Sequence, residues 1–457
     1  MAASRLSTPT STRPDRPVTS FVQLGLPPRI VAALAAVGIT EPFPIQAATL
    51  PDSLAGRDVL GRGRTGSGKT YAFVLPVLAR LASNPAPRRS GRPRALILAP
   101  TRELATQIQA TMAPLAAALS LRTMTVFGGV GANPQVRGLR AGVDVLVACP
   151  GRLRDHLSAG HVSLDAVEIN VLDEADHMAD LGFLPTVRWL MEKTPARCQR
   201  LLFSATLDAA VDVLVHQFLR DPVTHSVDPE TAGVTTMTHH LLHVRDDHRL
   251  PVLVDLAAAP GRTLVFTRTK HGAKRLTRHL NAAGVASVEL HGNLAQSVRD
   301  RNLRAFTDGT ARTLVATDIA ARGIHVDDVT LVVHADPPAE HKAYLHRSGR
   351  TARAGADGTV ITLMTDDQVA AVALLARRAG ISATTTRLRP GDPLLHRIAP
   401  GERTYEVTTL DEAAEKSVPP RTGRARIGRA RPGSGTAATS ARLPGCSLHD
   451  TPPKGRG

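Results

Sequence analysis

The octapeptide Gly63-Arg64-Thr65-Gly66-Ser67-Gly68-Lys69-Thr70 constrains the fold of this chain more than any other segment. It fits the spacing G-x-x-x-x-G-K-[ST] and follows the short run Asp58-Val59-Leu60. Such a loop works between a strand and a helix. Its glycines let successive backbone N–H groups close around phosphate oxygens, and the helix behind offers its positive end. Lys is scarce, seven among 457 residues, which gives the match weight. The motif asks for Lys69 as a point charge on β/γ-phosphates and for the Thr70 hydroxyl as a ligand to Mg2+.

The chain also supplies the sheets that such a loop needs. Short β-branched runs recur at 95–99 (ALILA), 143–148 (VDVLVA), 167–172 (VEINVL), 201–204 (LLFS), 263–266 (TLVF), 313–316 (TLVA) and 330–333 (TLVV). Each is about strand length and precedes a stretch long enough for a crossover helix, the pattern of α/β folds with parallel sheets. Ligand chemistry in these sheets lies at the carboxyl ends of the strands. Residues 221–236 (DPVTHSVDPETAGVTT) hold turn formers without periodicity. The expected organisation is a disordered arm over 1–20, a first domain over 21–222, a linker over 223–236, a second domain over 237–385 and a basic, largely disordered tail over 386–457.

Charge indicates the partner class. Lys and Arg number 56 against 40 Asp and Glu, a net charge of +16, of which +6 lies in residues 386–457 and +2 in residues 1–20. An excess of this size points to a polyanion. Aromatic residues make up only 3% of the chain, which argues against recognition by rows of stacked bases. Three Cys (149, 198, 446) form no framework and no C-x-x-C pair, as in a reduced intracellular protein. No apolar run reaches the roughly 18 residues of a membrane span, so a cytoplasmic location without membrane contact is expected. The Ser/Thr-, Arg- and Pro-rich start weakly resembles an organellar transit peptide but lacks its amphipathic stripe.

A P-loop needs a second acid. The run Val167–Leu172 ends in Asp173-Glu174, where the strand end projects Asp173 towards a metal. Glu174, not spent as a ligand, is left to position or polarise an attacking water.

At this point the residues carry a family resemblance. Asp173-Glu174-Ala175-Asp176, followed by His177-Met178-Ala179-Asp180-Leu181-Gly182-Phe183, resembles motif II of the DEAD-box RNA helicases. An ordered series supports it over about residues 21 to 365. Phe21 stands 17 residues before Gly38, and Pro42-Phe43-Pro44-Ile45-Gln46 is similar to the adenine-reading segment. Pro100-Thr101-Arg102-Glu103-Leu104-Ala105 is similar to motif Ia, and Gly128-Gly129 and Pro150-Gly151-Arg152 stand where the family meets RNA. Ser204-Ala205-Thr206 resembles motif III, and Arg268 lies in a motif IV-like run. Gln296 and Arg299 fit the Q-x-x-R element, Thr317 lies in motif V, and His346 to Gly355 is similar to motif VI.

The resemblance implies two tandem RecA-like domains and an ATP-dependent RNA helicase that uses ATP and Mg2+. It implies catalytic roles for Lys69, Asp173, Glu174, Arg350 and Arg353, and metal ligation by Thr70 and Asp173. Nucleotide binding would involve Phe21, Gln46, Arg64, Thr65, Gly66, Ser67, Gly68, Lys69 and Thr70. Ser204, Thr206, Asp176 and His346 would couple nucleotide state to RNA. Pro100, Thr101, Arg102, Gly129, Gly151, Arg152, Arg268, Gln296, Arg299 and Thr317 would contact the RNA backbone. Arg350 and Arg353, three apart, would share one helix face as arginine fingers. A monomer is expected, with ribonucleoprotein or ribosome-assembly partners. The alternatives are an RNA clamp or scaffold with little turnover, and a DNA-translocating helicase on the same scaffold. The chain departs from the family at Ile39, where an aromatic residue usually stacks on adenine, and at Phe43, Cys149, Gly63 and His325.

Overall fold

The computed structural model describes residues 20–63, 66–227, 237–321, 326, 328–352 and 357–405. The arm before residue 20 and the tail beyond 405 lie outside the described residues, as do Arg64, Thr65, His325 and Arg353.

Two seven-stranded sheets are present among the described residues. The first holds β1 (Val59–Arg62), β2 (Ala95–Leu98), β3 (Thr123–Val126), β4 (Val145–Ala148), β5 (Ile169–Leu172), β6 (Gln199–Ser204) and β7 (Val223–Ser226). The second holds β8 (Met237–His243), β9 (Arg262–Thr267), β10 (Ser287–Leu290), β11 (Thr313–Thr317), β12 (Val329–His334), β13 (Gly358–Met364) and β14 (Ala383–Arg387). Their orders are β3-β4-β2-β5-β6-β1-β7 and β10-β11-β9-β12-β13-β8-β14. Counted within each half, the order is the same, so one topology is used twice. Every pairing is parallel. This is the tandem RecA-like architecture.

Helices cover both faces of the sheets, and for that reason central strands such as β2, β4 and β5 are buried at every position. Successive residues enter opposite layers. Val145 and Val147 pack in one cluster with Phe73 and Phe203, while Leu146 and Ala148 pack in another with Leu153 and Met178. Burial on both faces removes the polar alternation of a half-exposed strand, so composition rather than periodicity marks these strands in the sequence. A separate core in the second half gathers Leu242, Val265, Val315, Val333 and Ile361.

Two expected boundaries shift. Residues 223–226 are not linker but the edge strand β7, paired with β1 from Val59↔Val223 to Arg62↔Ser226. Beyond residue 385 the second half continues through the end of β14 and the helix Pro393–Ile398, whose Leu395 and Ile398 are buried in its core. Pro222 and Pro229 suggested a linker, but parallel pairing on an edge needs only four residues in register. Among the described residues no helix is long and apolar enough to cross a membrane.

Candidate active site

Parallel register places three motifs side by side. β1 and β6 align Arg62 with Ser204, and β5 and β6 align Leu172 with Leu202. The P-loop, Asp173-Glu174 and Ser204-Ala205-Thr206 therefore leave the same sheet edge as neighbours. Lys69 opens the helix Lys69–Ser83, and its buried Nζ donates to Gly63 O at 2.6 Å. Gly66 and Gly68 hold φ of +88° and +89°. A Cβ on Gly68 would lie 2.7 Å from Gln46 Nε2 and 2.9 Å from Phe43 Cβ, so the loop and the Gln46 segment pack too closely for any other residue. Ser67 Oγ is buried without a hydrogen-bond partner among the described residues, two positions before Lys69.

The two acids diverge in character. Burial pushes Asp173 up to about 7, with Glu174 and Asp176 adding and Lys69 opposing. Burial alone would also raise Glu174, but the hydrogen bond and charge of His177, with Arg350 and Lys69, hold its carboxyl well below the usual range. At neutral pH the negative charge therefore concentrates on Glu174. Glu174 has φ +52°, and its Oε2 lies 3.0 Å from His177 Nδ1. Asp176 is a hub: its N–H donates to Ser204 Oγ at 3.3 Å, and Thr206 donates both N–H and Oγ–H to Asp176 Oδ2 at 3.1 Å. His346 Nε2, from the second half, is 3.9 Å from that same oxygen. Lys69, Glu174, Asp176, His177, Ala205, His346 and Arg350 line one small pocket.

Three expected positions read differently in three dimensions. Phe21 is 2% exposed in the core with Ile30, Leu34 and Ile45, so its ring packs the interior and is not presented to a ligand. Gln46 is fully buried, with Oε1 accepting from Phe43 N–H at 3.0 Å and Nε2 donating to Gly68 O at 2.9 Å. Its amide ties this segment to the P-loop. The helix expected to carry both Arg350 and Arg353 spans His341–Ser348 and ends with Gly349 as its cap. Arg350 lies beyond that cap and Ala352 adopts φ +54°, so Arg350 is not on this helix; Arg353 lies outside the described residues.

Further along the same carboxyl edge of the first sheet, Pro100-Thr101 follow β2 beside Asp173, and the segments expected to meet RNA contact one another. Thr101 caps the helix Arg102–Ala118 by accepting from Leu104 N–H at 3.2 Å, and Pro100 before it is buried. Glu103 Oε1 receives Arg299 Nε at 2.9 Å and Nη2 at 2.8 Å, and Gln296 Nε2 at 3.3 Å. Arg102 Nη1 donates to Gln296 Oε1 at 2.9 Å. Arg102, Gln296 and Arg299 thus join the two halves around one buried acid. Gly129 holds φ +76° against the Arg102 guanidinium, and Arg152 Nη1 donates to Val130 O at 3.1 Å. Gly129, Gly151 and Arg268 are exposed, and Thr317 is half-buried at the end of β11. Burial first, then Glu103, pushes the Cys149 thiol up to about 12, which fits a protonated packing residue rather than a nucleophile.

Sequence reasoning missed Glu103, His177 and two further pairs. Arg347 forks onto Asp318 at 2.5 and 2.8 Å, and Lys342 Nζ meets Asp208 Oδ2 at 2.8 Å. A lone acid beside Arg102 was the signal for Glu103, and the spacing of three from Glu174 was the signal for His177; the two further pairs lie 29 and 134 residues apart in sequence.

Comparison with known proteins decides the family. The DEAD/DEAH box helicase model matches residues 43–214, and the helicase conserved C-terminal domain model matches residues 248–355. The chain belongs to the DEAD-box family of ATP-dependent RNA helicases. It is 41% identical over 389 residues to the ATP-dependent RNA helicase RhlB of Erwinia tasmaniensis, covering 84% of this chain and 90% of that protein. To RhlB of Enterobacter sp. strain 638 it is 39% identical, over 90% of this chain and 98% of that one. Among solved structures, S. cerevisiae Dbp5 bound to RNA and ADP BeF3 superposes with a TM-score of 0.74 at 28% identity, covering 83% of this chain and 98% of that one. As a DEAD-box enzyme the chain hydrolyses ATP. The matched region contains the P-loop, the Asp173–Asp176 tetrad and Arg350.

Proposed function

We propose that this helicase clamps RNA when ATP draws its two halves together, and that clamping separates short duplexes locally without processive movement. The observation that carries the reading is the composite pocket: Lys69 and Glu174 come from the first half, His346 and Arg350 from the second. A site so divided is complete only in the closed form, so ATP and RNA tighten each other's binding. Within it, Lys69 and the P-loop N–H groups hold phosphate, with Ser67 Oγ as a further donor. Glu174 orients and deprotonates water, and Arg350 stabilises transition-state charge. The chemistry of the donor set fits Mg2+: Asp173 is a buried carboxylate without an ion-pair partner among the described residues, it feels the charge of Lys69, and the Thr70 hydroxyl follows Lys69 in the first turn of the P-loop helix. Bound there, the metal would neutralise charge on the β- and γ-phosphate oxygens. The Asp176 hub, bonded to Ser204 and Thr206 and facing His346, relays closure between the ATP pocket and the RNA segments. Gly129, Gly151, Arg152, Arg268 and Thr317 are assigned to the RNA backbone, which makes binding largely independent of sequence. The protein is proposed to act as a cytoplasmic monomer on ribonucleoprotein RNA.

RNA-stimulated phosphate release, measured with strand separation of short and long duplexes, tests this reading. Expected are stimulation by RNA but not DNA, unwinding that fails on long duplexes, and a loss of about 10²-fold or more in kcat for Glu174→Gln. Turnover unaffected by Glu174→Gln would refute the assignment of Glu174.

A further inference from the structure

The carboxylate of Glu174 has two oxygens in different situations. Oε2 is 3.0 Å from His177 Nδ1, whereas Oε1 makes no hydrogen bond among the described residues. His177 is the third residue after Glu174, one turn into the helix Ala175–Asp180, and its side chain is 4% exposed against 10% for Glu174. An ionised Glu174 can only accept, so Nδ1 must carry a proton and donate it. In the neutral ring this leaves Nε2 bare, and Nε2 is buried with no hydrogen-bond partner among the described residues. The opposite tautomer would set a lone pair against the carboxylate and bury an unsatisfied N–H, which is worse on both counts. The Nδ1–H form is therefore the one the site selects.

We propose that His177 is a positioning residue for ATP hydrolysis: by donating Nδ1–H to Glu174 Oε2, it aims Oε1 at the attacking water. This rests on the assignment of Glu174 to water made above. Glu174 starts a helix from a left-handed φ of +52°, a strained conformation for a residue with a Cβ that needs something to hold it. His177 is that hold, and it belongs to the first half, so Glu174 is oriented before Arg350 arrives with the second. Preorganisation of a base within the water's hydrogen-bond reach is what lowers the barrier. In the reaction the water O–H proton passes to Glu174 Oε1 as the new O–P bond forms and the β–γ bridging O–P bond breaks. His177 keeps its Nδ1 proton throughout.

Four single variants in the full chain, and the double variant His177→Leu/Glu174→Gln, test this: His177→Leu, His177→Asn, whose amide nitrogen stands where Nδ1 does, His177→Gln, whose amide reaches the Nε2 position, and Glu174→Gln. Each is measured for RNA-stimulated kcat and for affinity towards a fluorescent non-hydrolysable ATP analogue and single-stranded RNA. Expected is a fall in kcat of about 10- to 100-fold for Leu and Gln, recovery to within about threefold of the native rate for Asn, and binding constants within about twofold for all three. In the Glu174→Gln background, His177→Leu should add no further loss, because it acts through Glu174. A native kcat for His177→Leu, an Asn variant as slow as Leu, or an additive loss in the double variant would each overturn the proposal. If Glu174→Gln itself turns over normally, the assignment of Glu174 has failed first. If it is inactive while His177→Leu is native, only this inference has failed.

Discussion

Replacing Glu103 by Gln removes one charge from the contact between the two halves and changes almost nothing else. In the closed arrangement the Glu103 and Arg299 side chains are 7% and 11% exposed, and both Nε and Nη2 of the guanidinium point at one carboxylate oxygen. With the halves apart, water solvates each charge. With them together, the Gln variant would bury the Arg299 guanidinium without its counter-ion. Breaking a buried pair in this way costs about 3–5 kcal/mol. The Gln carbonyl still accepts one hydrogen bond and Arg299 keeps a little exposure, so we take about 3 kcal/mol, or roughly 150-fold in the closing equilibrium. Each half should keep its stability, because the partner lies in the other half. The assay is RNA affinity with and without a non-hydrolysable ATP analogue. Without nucleotide, affinity should stay within about twofold; with it, the tightening seen in the native protein should fall by one to two orders of magnitude. If Glu103 merely lay near RNA, removing its negative charge would strengthen binding in both conditions. A variant as tight as the native protein with nucleotide bound would refute the reasoning.

The second contact between the halves should matter far less. Lys342 meets Asp208 at 2.8 Å, but the two side chains are 35% and 19% exposed, so Lys342→Met should cost about 1 kcal/mol or less and change the same RNA affinity by no more than about fivefold. A loss as large as that of Glu103→Gln would show that exposure is the wrong criterion. Acid should destabilise the second half through His239, which burial, aided by His240, lowers from 6.5 to about 4 while Nδ1 contacts Tyr344 Oη at 3.0 Å. Between those values the unfolded chain holds a proton that the folded chain lacks, so stability is complete above pH 6.5 and declines as pH falls towards 4, by roughly 3 kcal/mol. His334, also held well below its usual value by burial, adds in the same direction. Urea midpoints at pH 7 and 4.5 should fall less for His239→Asn than for the native chain; equal shifts would remove His239 from the account.

Lys69, Glu174 and Arg350, which line one pocket, could be picked out in the sequence because each lies in a local motif. A P-loop is eight consecutive residues, and Asp173-Glu174 ends a run of visible apolar character. Phe21 was assigned to the nucleotide on the resemblance alone; its ring is buried among Ile30, Leu34 and Ile45, a packing that only the tertiary structure shows. β7 was missed because a half-exposed four-residue edge strand between prolines has no apolar signature; its pairing with β1 creates it. Arg299 and Gln296 were read as cations and amides for RNA, since the acid that engages them lies 196 and 193 residues away.

The sequence by itself determined the phosphate loop, the paired acids and the repeated strand–helix pattern, because backbone geometry and side-chain chemistry within one short segment suffice for each. It also determined that the aromatic-poor, Arg-rich chain would meet a polyanion. Tertiary structure alone decided which charges remain available to that polyanion. Glu103 takes Arg299, Asp318 takes Arg347, and Asp208 takes Lys342. It also set the unequal environments of Asp173 and Glu174, adjacent in sequence yet pushed in opposite directions by burial on one side and by His177 on the other. Formal charge is a property of composition. Whether a charge is paired, solvated or poised for chemistry depends on distances and burial, which arise only when segments remote in sequence pack together.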